Sequence, residues 1–235
     1  MEISIVVPAY NEEKRIVSFL KRLLDFAGNK NGFEIIFVDD GSTDNTLKLI
    51  RDYCKGYDNT RIISYKVNKG KGGAVREGVM HSRGKKVLFI DSDGSIDPKQ
   101  ILQMSKHLDK YDAVVGTRAS SRSKVSQPLF RKVIGICFNV YTNFLFGLSI
   151  RDKLCGFKGF KRDVAHVIFR DLVSMKFVFD IELFYRIKIY GFSLYQQPIK
   201  WVHKWNSKIK PIDPFKMVFE LVDLRIKLMK VKKHD

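Results

Sequence analysis

Short apolar segments alternate with helix-type patterns through the first half of the chain. Each apolar segment is rich in β-branched or aromatic residues and is followed by Pro, Asp, Asn or Gly, which is typical of a buried strand. Between the segments, apolar residues recur at helical spacing, as Ile16, Leu20 and Leu23 do. The predicted strands cover residues 3–7, 35–38, 62–67, 87–90 and 113–115. This alternation predicts an α/β fold with a mostly parallel central sheet flanked by helices.

The pattern changes after Arg118. Residues 120–126 are polar and basic and predict a loop. Residues 129–148 and 178–189 each carry apolar positions at helical spacing and predict two further helices. The second half therefore continues the domain without repeating the strand and helix units of the first half.

The end of the chain predicts a basic amphipathic helix. Residues 214–233 mix apolar residues with Lys and Arg. A helix of this kind either lies on a membrane surface or packs on the core with its lysine face solvated. We divide the chain into a main domain, residues 1–210, and this helix, residues 211–235, and keep both interpretations of the helix open.

Two carboxylates follow the fourth predicted strand. Asp91-Ser92-Asp93-Gly94 comes directly after its apolar run, at the carboxyl end where open α/β sheets bind ligands. Two carboxylates held close together repel each other unless a cation or a shared proton offsets the charge. Oxygen ligands of this kind suit Mg²⁺ or Mn²⁺, and a cation here indicates a phosphate-bearing substrate. The alternative is a solvated turn, since Asp, Ser and Gly all favour turns.

Residues 68–76 combine glycines with cations at the start of a predicted helix. Glycine lets a backbone approach a ligand closely, and the amides of a helix start favour anions. The spacing is neither that of a P-loop nor that of a dinucleotide-binding fingerprint, so it identifies no particular nucleotide. The candidate ligand contacts here are Lys69, Gly70, Lys71, Gly72 and Arg76.

Another acidic pair, Asp39 and Asp40, follows the second predicted strand. These carboxylates could accept hydrogen bonds from a base or ribose, or cap the next helix, although Ser42 or Thr43 suits capping better. Because the carboxyl ends of parallel strands meet at one edge of a sheet, we expect the charged groups to converge there. The expected set is Asp39, Asp40, Lys69, Lys71, Asp91 and Asp93.

The excess of basic residues indicates an anionic partner. Lys and Arg total 43 against 25 acidic residues, which gives a formal net charge of +18. Such a charge favours nucleic acid, a nucleotide or an anionic membrane surface, and it does not choose among them.

The three cysteines indicate a reducing compartment. Cys54, Cys137 and Cys155 are widely spaced and include no CxxC pair, so neither a disulfide framework nor a zinc site is predicted. The N-terminus lacks the pattern of a signal peptide, and no segment reaches the uninterrupted apolar length of a membrane span. We therefore expect a cytoplasmic protein that contacts a membrane only peripherally.

Four motifs together resemble the family-two glycosyltransferases, which have the GT-A fold. They are Val6-Val7-Pro8-Ala9-Tyr10-Asn11-Glu12, Val38-Asp39-Asp40-Gly41-Ser42-Thr43-Asp44, residues 68–76 and Asp91-Ser92-Asp93-Gly94. Residues 152–158 and Phe179-Asp180-Ile181-Glu182-Leu183 extend the resemblance into the second half. Within the family the chain looks most like dolichyl-phosphate β-glucosyltransferases, and dolichyl-phosphate mannose synthases are close relatives.

The resemblance implies roles for particular residues. The implied nucleotide-sugar pocket comprises Pro8, Tyr10, Asn11, Glu12, Asp39, Asp40, Lys69, Gly70, Lys71, Gly72, Arg76, Asp91 and Ser92. Asp91 and Asp93 would hold a metal on the donor diphosphate, and Ser95 stands where mannose synthases often carry a Gln ligand. The implied catalytic residues near the donor and acceptor phosphates are Asp93, Arg118, Arg131 and Lys208.

The implied reaction moves glucose from UDP-glucose to a polyprenyl phosphate such as dolichyl phosphate, with inversion. An acceptor phosphate with a second pKa near ~6 is largely ionised at neutral pH, so a general base is unnecessary. We accordingly expect Asp180 to have a structural or acceptor-positioning role. The alternatives are mannose transfer from GDP-mannose, a basic nucleic-acid-binding protein and a catalytically silent membrane scaffold.

Overall fold

All the strands predicted for the first half are present in the structure, a computed structural model that describes residues 1–118, 129–150, 152–202 and 213–231. In chain order the elements are β1 (Ile3–Ala9), α1 (Ile16–Ala27), β2 (Phe33–Asp39), α2 (Thr46–Cys54), β3 (Thr60–Ser64), α3 (Lys71–Met80), β4 (Lys86–Ile90), α4 (Gln100–His107), β5 (Ala113–Thr117), α5 (Leu129–Phe146), β6 (Phe157–Lys161), α6 (Arg162–Arg170), α7 (Phe179–Ile189), β7 (Leu194–Pro198) and α8 (Asp213–Val231).

Within the described ranges the strands form one seven-stranded sheet in the order β3-β2-β1-β4-β6-β5-β7. β6 runs antiparallel to its neighbours β4 and β5, and the remaining pairs are parallel. This confirms the predicted α/β class with a mostly parallel sheet. The carboxyl ends of β1, β2, β4 and β5 meet the amino end of β6 at one edge, which we call the site edge.

Helices cover both faces of the sheet, and the central strands are therefore buried on both sides. On β1, Val6 belongs to one apolar cluster while Ile5 and Val7 belong to the other, as the alternation of a strand requires. The α1 helix turns its apolar stripe, including Phe19 and Leu23, onto one face. The α3, α6 and α7 helices contribute to the cluster on the opposite face.

Several element boundaries differ from the sequence predictions. The third strand is β3, which ends at Ser64 rather than at residue 67. The α2 helix begins at Thr46, and the Ser42 hydroxyl accepts a hydrogen bond from the Asn11 amide at 2.9 Å instead of capping that helix. The prediction that Ser42 or Thr43 caps this helix is therefore wrong. The sequence patterns also did not predict β6, α6 and β7.

The C-terminal helix α8 packs against the main domain through one apolar stripe. Met217, Leu221, Leu224 and Leu228 are buried in the same cluster as α7 and the sheet. Its outer side exposes apolar residues as well, among them Phe219 and Met229. No helix in the described ranges combines the length and the apolar character needed to cross a membrane.

Candidate active site

The pair of carboxylates after β4 is fixed by both backbone and packing. The Asp91 amide donates to the Gly156 carbonyl at 3.0 Å, which ties this loop to the start of β6. Asp93 Oδ1 accepts the Ser95 amide at 2.8 Å. Burial and the neighbouring charge of Asp91 raise the pKa of Asp93 above its ordinary value. Two acids held this close in a partly desolvated loop form a site that favours an added cation.

Lys71 is the cation that the fold brings to this pair. As the first residue of α3, it places its Nζ 2.8 Å from Asp91 Oδ1 and 3.0 Å from Asp91 Oδ2. Burial alone would lower the pKa of Lys71, but the carboxylates of Asp91, Asp180 and Asp93 raise it above its ordinary value. The ammonium therefore stays charged at neutral pH and offsets part of the acidic charge.

A second ion pair lies entirely inside the protein next to Lys71. Lys158 Nζ donates to Asp180 Oδ1 at 2.7 Å and to the Cys155 carbonyl at 2.6 Å. Burial raises the pKa of Asp180, although Lys158 and Lys71 act in the opposite direction. Asp180 is thus held inside the protein by an ammonium group, and its structural or acceptor-positioning role stays a prediction.

The end of β2 joins the glycine-rich segment through Asp40. Its Oδ1 accepts the Lys69 amide at 2.8 Å, and its carbonyl accepts the Asn68 side-chain amide at 2.9 Å. Burial raises the pKa of Asp40, against the hydrogen bond from Lys69. Asp39 Oδ2 lies 3.3 Å from the Ser42 amide, while Asp39 Oδ1 is buried with no hydrogen-bond partner among the described residues.

The segment after β1 lines the same edge. Pro8 lies within β1, and the half-exposed Tyr10 follows the strand. Asn11 adopts a positive φ of 48°, and its Oδ1 accepts the Thr43 amide at 2.8 Å. The buried Glu12 pairs with Arg15, whose Nη2 donates to Glu12 Oε1 at 2.7 Å.

Arg15 is a member of the site edge that the sequence analysis missed. Its hydrogen bond to Glu12, together with the charges of Asp93 and Asp91, raises its pKa above the ordinary value. It occupies the turn before α1, where a lone Arg has no pattern that separates it from a surface charge. The signal that could have identified it is its position three residues after Glu12, within reach of an i,i+3 ion pair.

The glycines of residues 68–76 serve contacts within the protein. A Cβ at Gly70 would lie 2.5 Å from the Met175 carbonyl oxygen, and one at Gly72 would lie 2.7 Å from Phe179 Cβ. The Gly73 amide donates to the Met175 carbonyl at 3.1 Å. These glycines therefore let the chain before α7 approach α3 closely, and phosphate binding by this segment stays a prediction.

Arg76 contacts the end of α6. Its Nε donates to the Phe169 carbonyl at 3.0 Å and its Nη2 to the Arg170 carbonyl at 2.8 Å. Both acceptors belong to the last residues of α6, whose carbonyls have no partner within the helix. Arg76 thus joins α3 to α6, and the structure does not bring it into the acidic cluster.

Arg118 marks the other end of the site edge, after β5. Its Nε and Nη2 each donate to Asp152 at 2.8 Å, and its guanidinium lies 5.4 Å from the centre of the Trp201 ring. Burial favours the protonated form of Asp152, but Arg118 holds the pKa of Asp152 below its ordinary value. The other predicted catalytic cations are not described: the Arg131 side chain and Lys208 lie outside the described residues.

The described part of the chain contains no cluster of three or more His, Cys, Asp or Glu residues suited to a metal.

Comparison with known proteins gives one family and one fold. The chain matches the family model described as glycosyl transferase family 2 over residues 4–169. It is 33% identical over 227 residues to the dolichyl-phosphate beta-glucosyltransferase of Homo sapiens, covering 89% of this chain and 70% of that protein. The enzyme of the same name from Saccharomyces cerevisiae is 34% identical over 248 residues, covering 95% of this chain and 74% of that protein.

A solved structure shows the same architecture at lower identity. Glucosyl-3-phosphoglycerate synthase from Mycobacterium tuberculosis, in complex with Mg²⁺ and UDP, matches with a TM-score of 0.67 at 20% identity. The match covers 95% of this chain and 79% of that chain. The likeness shows a shared fold.

Proposed function

This chain belongs to glycosyl transferase family 2, and from that premise we propose that it moves glucose from UDP-glucose to a polyprenyl phosphate such as dolichyl phosphate. The proposal rests on relatives that carry the name dolichyl-phosphate beta-glucosyltransferase and cover most of the chain. The observation that carries it is the site edge, where Asp91, Asp93 and Lys71 lie at the carboxyl end of β4.

The donor nucleotide would occupy the half of the site edge formed by β1 and β2. Asp39 Oδ1 is buried and lacks a partner among the described side chains, so it can accept a hydrogen bond from a base or ribose. Asp40 holds the Lys69 amide and thereby fixes the neighbouring segment. These contacts support binding of UDP, with Tyr10 and Glu12 on the segment that lines the same edge.

The residues present fit a divalent cation. Asp91 and Asp93 are hard oxygen donors one residue apart. Burial and the charge of Asp91 raise the pKa of Asp93, and a cation would relieve the repulsion between the two carboxylates. Mg²⁺ or Mn²⁺ bound by these carboxylates and the donor diphosphate would neutralise charge on the leaving group.

The protein itself supplies fixed positive charge for the transfer. The leaving UDP gains negative charge as the bond to glucose breaks, and a preorganised cation stabilises that charge most effectively. Lys71 Nζ lies beside Asp91, and Asp152 fixes the Arg118 guanidinium above Trp201. We place Lys71 toward the donor diphosphate and Arg118 toward the acceptor phosphate, with Arg131 and Lys208 as further proposed phosphate contacts.

The acceptor needs no general base. A phosphate monoester with a second pKa near ~6 is already a nucleophilic anion at neutral pH. The buried pairing of Asp180 with Lys158 supports this, because Asp180 is held by an ammonium rather than presented to a substrate. Direct attack of the acceptor oxygen on the sugar would then transfer glucose with inversion.

The lipid acceptor places the reaction at a membrane surface. A long polyprenyl chain stays in a bilayer, so the enzyme would act there as a peripheral protein, and we propose the cytoplasmic face. The net charge of +18 suits an anionic bilayer surface, and no binding of nucleic acid is needed to account for it.

The test of the function is sugar transfer from labelled UDP-glucose and, separately, GDP-mannose to a polyprenyl phosphate with Mg²⁺ or Mn²⁺. We expect metal-dependent product from UDP-glucose, measured as label in the organic phase. Product from GDP-mannose instead would replace glucose by mannose in the proposal. No transfer from either donor, with steeply salt-dependent binding of DNA or RNA, would contradict it.

We also expect Gly156→Ala to reduce transfer by about tenfold or more, since small misplacements of reacting groups are costly. A Cβ at Gly156 would lie 1.8 Å from Asp91 Oδ2, so the Asp91 carboxylate must move. Gly156 does not have a positive φ, so its backbone accepts alanine. The measurement is the initial rate at saturating donor together with the metal concentration needed for half of that rate.

The matched control for this change is Gly135→Ala in α5. Among the described residues, no atom lies within 4 Å of a Cβ built at Gly135, so we expect the structure to accept this alanine. We expect transfer and metal dependence to stay at the level of the unmodified protein. Equal activity of both variants would mean that the position of Asp91 does not limit the reaction.

A further inference from the structure

Both carboxylate oxygens of Asp91 face the ammonium group of Lys71. Lys71 Nζ lies 2.8 Å from Asp91 Oδ1 and 3.0 Å from Asp91 Oδ2. The side chains of Lys71 and Asp91 are 20% and 31% exposed, so water and salt screen this pair less than they screen a surface pair. Divalent cations such as Mg²⁺ bind carboxylate oxygens directly. Lys71 and a divalent cation would therefore compete for the same oxygens of Asp91.

The Asp91 carboxylate has little room to turn away from Lys71. The Asp91 amide donates to the Gly156 carbonyl at 3.0 Å, which fixes the backbone of this loop. A Cβ at Gly156 would clash with both carboxylate oxygens of Asp91, so the carboxylate fills the space that a side chain would take there. A cation that binds Asp91 would accordingly have to displace the ammonium of Lys71, since the carboxylate is held in place.

Lys71 has a second acidic neighbour, Asp180. Burial acts to lower the pKa of Lys71, but the charges of Asp91 and Asp180 keep it above its ordinary value. Asp180 is itself fixed by Lys158, whose Nζ donates to Asp180 Oδ1 at 2.7 Å. Acidic and basic groups thus alternate from the site edge inward, in the order Asp91, Lys71, Asp180 and Lys158. The Lys71 ammonium can therefore leave Asp91 and stay charged within the site.

Arg15, another cation whose charge acts on Asp91 and Asp93, is held by a different partner. Its Nη2 donates to Glu12 Oε1 at 2.7 Å. Because Glu12 fixes this guanidinium, Lys71 is the cation that we expect to move when a ligand enters.

A diphosphate would change the competition at Asp91. A divalent cation alone would leave the displaced ammonium close to a like charge, and like charges at short range repel each other. Phosphate oxygens carry negative charge that offsets both cations, and a lysine ammonium binds phosphate well. A divalent cation that arrives with a diphosphate therefore meets less opposition at Asp91 than a free cation does.

We infer that Lys71 competes with a divalent cation for Asp91, so that the protein takes up the cation together with a nucleoside diphosphate and discriminates against the free cation. The inference rests on the proposed function through its metal site at Asp91 and Asp93. Lys71 would exchange Asp91 for the diphosphate as the two ligands bind. Cation and diphosphate should then bind cooperatively, and by linkage each should raise the affinity of the other by the same factor.

Binding of Mn²⁺ to the full chain, measured by the loss of the free Mn²⁺ signal in electron paramagnetic resonance, tests this competition. Lys71→Met should bind Mn²⁺ alone about tenfold more tightly than the unmodified protein, because the competing ammonium is gone. If Lys71 served only to orient Asp91, its removal would weaken Mn²⁺ binding instead. Lys71→Arg keeps the positive charge and should keep the weaker binding of the unmodified protein.

UDP gives a second measurement that needs no variant. In the unmodified protein, UDP should raise the affinity for Mn²⁺ by about tenfold or more, after correction for the Mn²⁺ that UDP binds in solution. Uridine has no phosphate and should leave the affinity for Mn²⁺ unchanged. In Lys71→Met the effect of UDP should be smaller than in the unmodified protein, and thermal unfolding in EDTA checks that this variant is folded.

The matched control is Lys161→Met, which lowers the net charge of the protein by the same amount. Lys161 also pairs with an aspartate, Asp112, at 3.0 Å. It is the last residue of β6, at the end of that strand opposite to the site edge. We expect this variant to bind Mn²⁺ as the unmodified protein does, with and without UDP.

Several results would overturn the inference. Unchanged or weaker binding of Mn²⁺ by Lys71→Met would show that Lys71 does not compete. Tighter binding by both Lys71 variants would show that the positive charge is not what opposes the cation. Equally tighter binding by Lys161→Met would assign the effect to the net charge of the protein. A protein that binds no Mn²⁺, with or without UDP, would refute the metal site and the inference together.

These measurements also separate the inference from the proposed function. They contain no sugar donor and no acceptor, so they do not depend on transfer. Competition between Lys71 and Mn²⁺ in a protein that transfers no glucose would keep the inference and refute the function. Glucose transfer by a protein in which Lys71→Met leaves Mn²⁺ binding unchanged would keep the function and overturn the inference.

Discussion

Asp93→Asn should reduce glucose transfer by at least about a hundredfold, the scale seen when a group that stabilises transition-state charge is removed. The amide keeps the shape of the side chain, and its oxygen can still accept the Ser95 amide, which lies 2.8 Å from Asp93 Oδ1. The change removes one of the two charges that we propose hold the metal. Initial rates with UDP-glucose and polyprenyl phosphate, over a range of Mg²⁺ concentrations, measure the effect.

The same variant should fold normally. Burial and the charge of Asp91 raise the pKa of Asp93, so its ionised form is disfavoured in the folded protein. A folded-state pKa above the unfolded value means that this carboxyl costs stability as pH rises through the unfolded pKa and beyond. Removing the charge should therefore leave the free energy of unfolding at pH 7 unchanged or higher. Thermal unfolding without metal measures this.

Thermal unfolding with ligands gives a second test of the proposed role of Asp93. Mg²⁺ with UDP should raise the unfolding temperature of the unmodified protein and leave that of Asp93→Asn unchanged, since only ligands that bind the folded state stabilise it. Asp97→Asn is the matched control, because Asp97 is an exposed acid in the same loop. Full transfer by Asp93→Asn, at ordinary Mg²⁺ concentrations, would contradict the proposed role of Asp93.

The convergence of charged groups was predictable from the sequence because it follows from the sheet alone. The Asp39-Asp40 pair and Asp91 each come directly after an apolar run of parallel-strand type, and parallel strands end at one edge. In the structure Asp40 accepts the Lys69 amide and Asp91 pairs with Lys71, so these members of the expected set lie together. No knowledge of strand order was needed, since any order of parallel strands gives the same edge.

The strand order and the β6 strand were not predictable in this way. β6 holds two lysines within five residues, and a charged residue in a short segment indicates a surface rather than a buried strand. It also inserts between β4 and β5 in the antiparallel sense, so the sequential strands β4 and β5 are not neighbours. Gly156, which contacts Asp91, was missed because it reaches the site edge from the amino end of this strand.

Two arginines of the predicted site show a further limit of sequence reasoning. Arg118 and Arg76 are both basic residues after or within predicted elements, and nothing in their local sequence separates them. Tertiary packing does: Arg118 meets Asp152 and Trp201 at the site edge, whereas Arg76 bonds the last carbonyls of α6. Only the partner, which lies far away in the chain, distinguishes the two roles.

Lys158→Met should destabilise the protein more than any other single change considered. Lys158 and Asp180 have side-chain exposures of 0% and 4%, and the Lys158 ammonium lies 5.4 Å and 5.3 Å from the ring centres of Phe89 and Phe184. Methionine fills similar space but leaves the Asp180 carboxylate without this ammonium. Removing one partner of a buried pair typically costs ~3–5 kcal/mol of unfolding free energy. At this chain length each kcal/mol corresponds to about 2–4 °C in unfolding temperature.

The loss of unfolding free energy in Lys158→Met should depend on pH. Burial already raises the pKa of Asp180 in the unmodified protein, and losing Lys158 should raise it further. An acid with a raised folded-state pKa destabilises the protein above that pKa and costs less as pH falls below it. The stability difference between Lys158→Met and the unmodified protein should therefore shrink as pH is lowered, which chemical denaturation at several pH values measures.

Two further variants test whether the unpaired charge of Asp180 causes the loss of stability in Lys158→Met. Adding Asp180→Asn to Lys158→Met should restore much of the lost stability, because no uncompensated charge remains inside. Lys161→Met is the control on the same strand: Lys161 pairs with Asp112 at 3.0 Å, but the two side chains are 41% and 28% exposed. Exposed pairs contribute at most about 1 kcal/mol, so this change should have a small effect. Equal losses at Lys158 and Lys161, or no recovery in the double variant, would show that packing rather than charge sets the stability of this region.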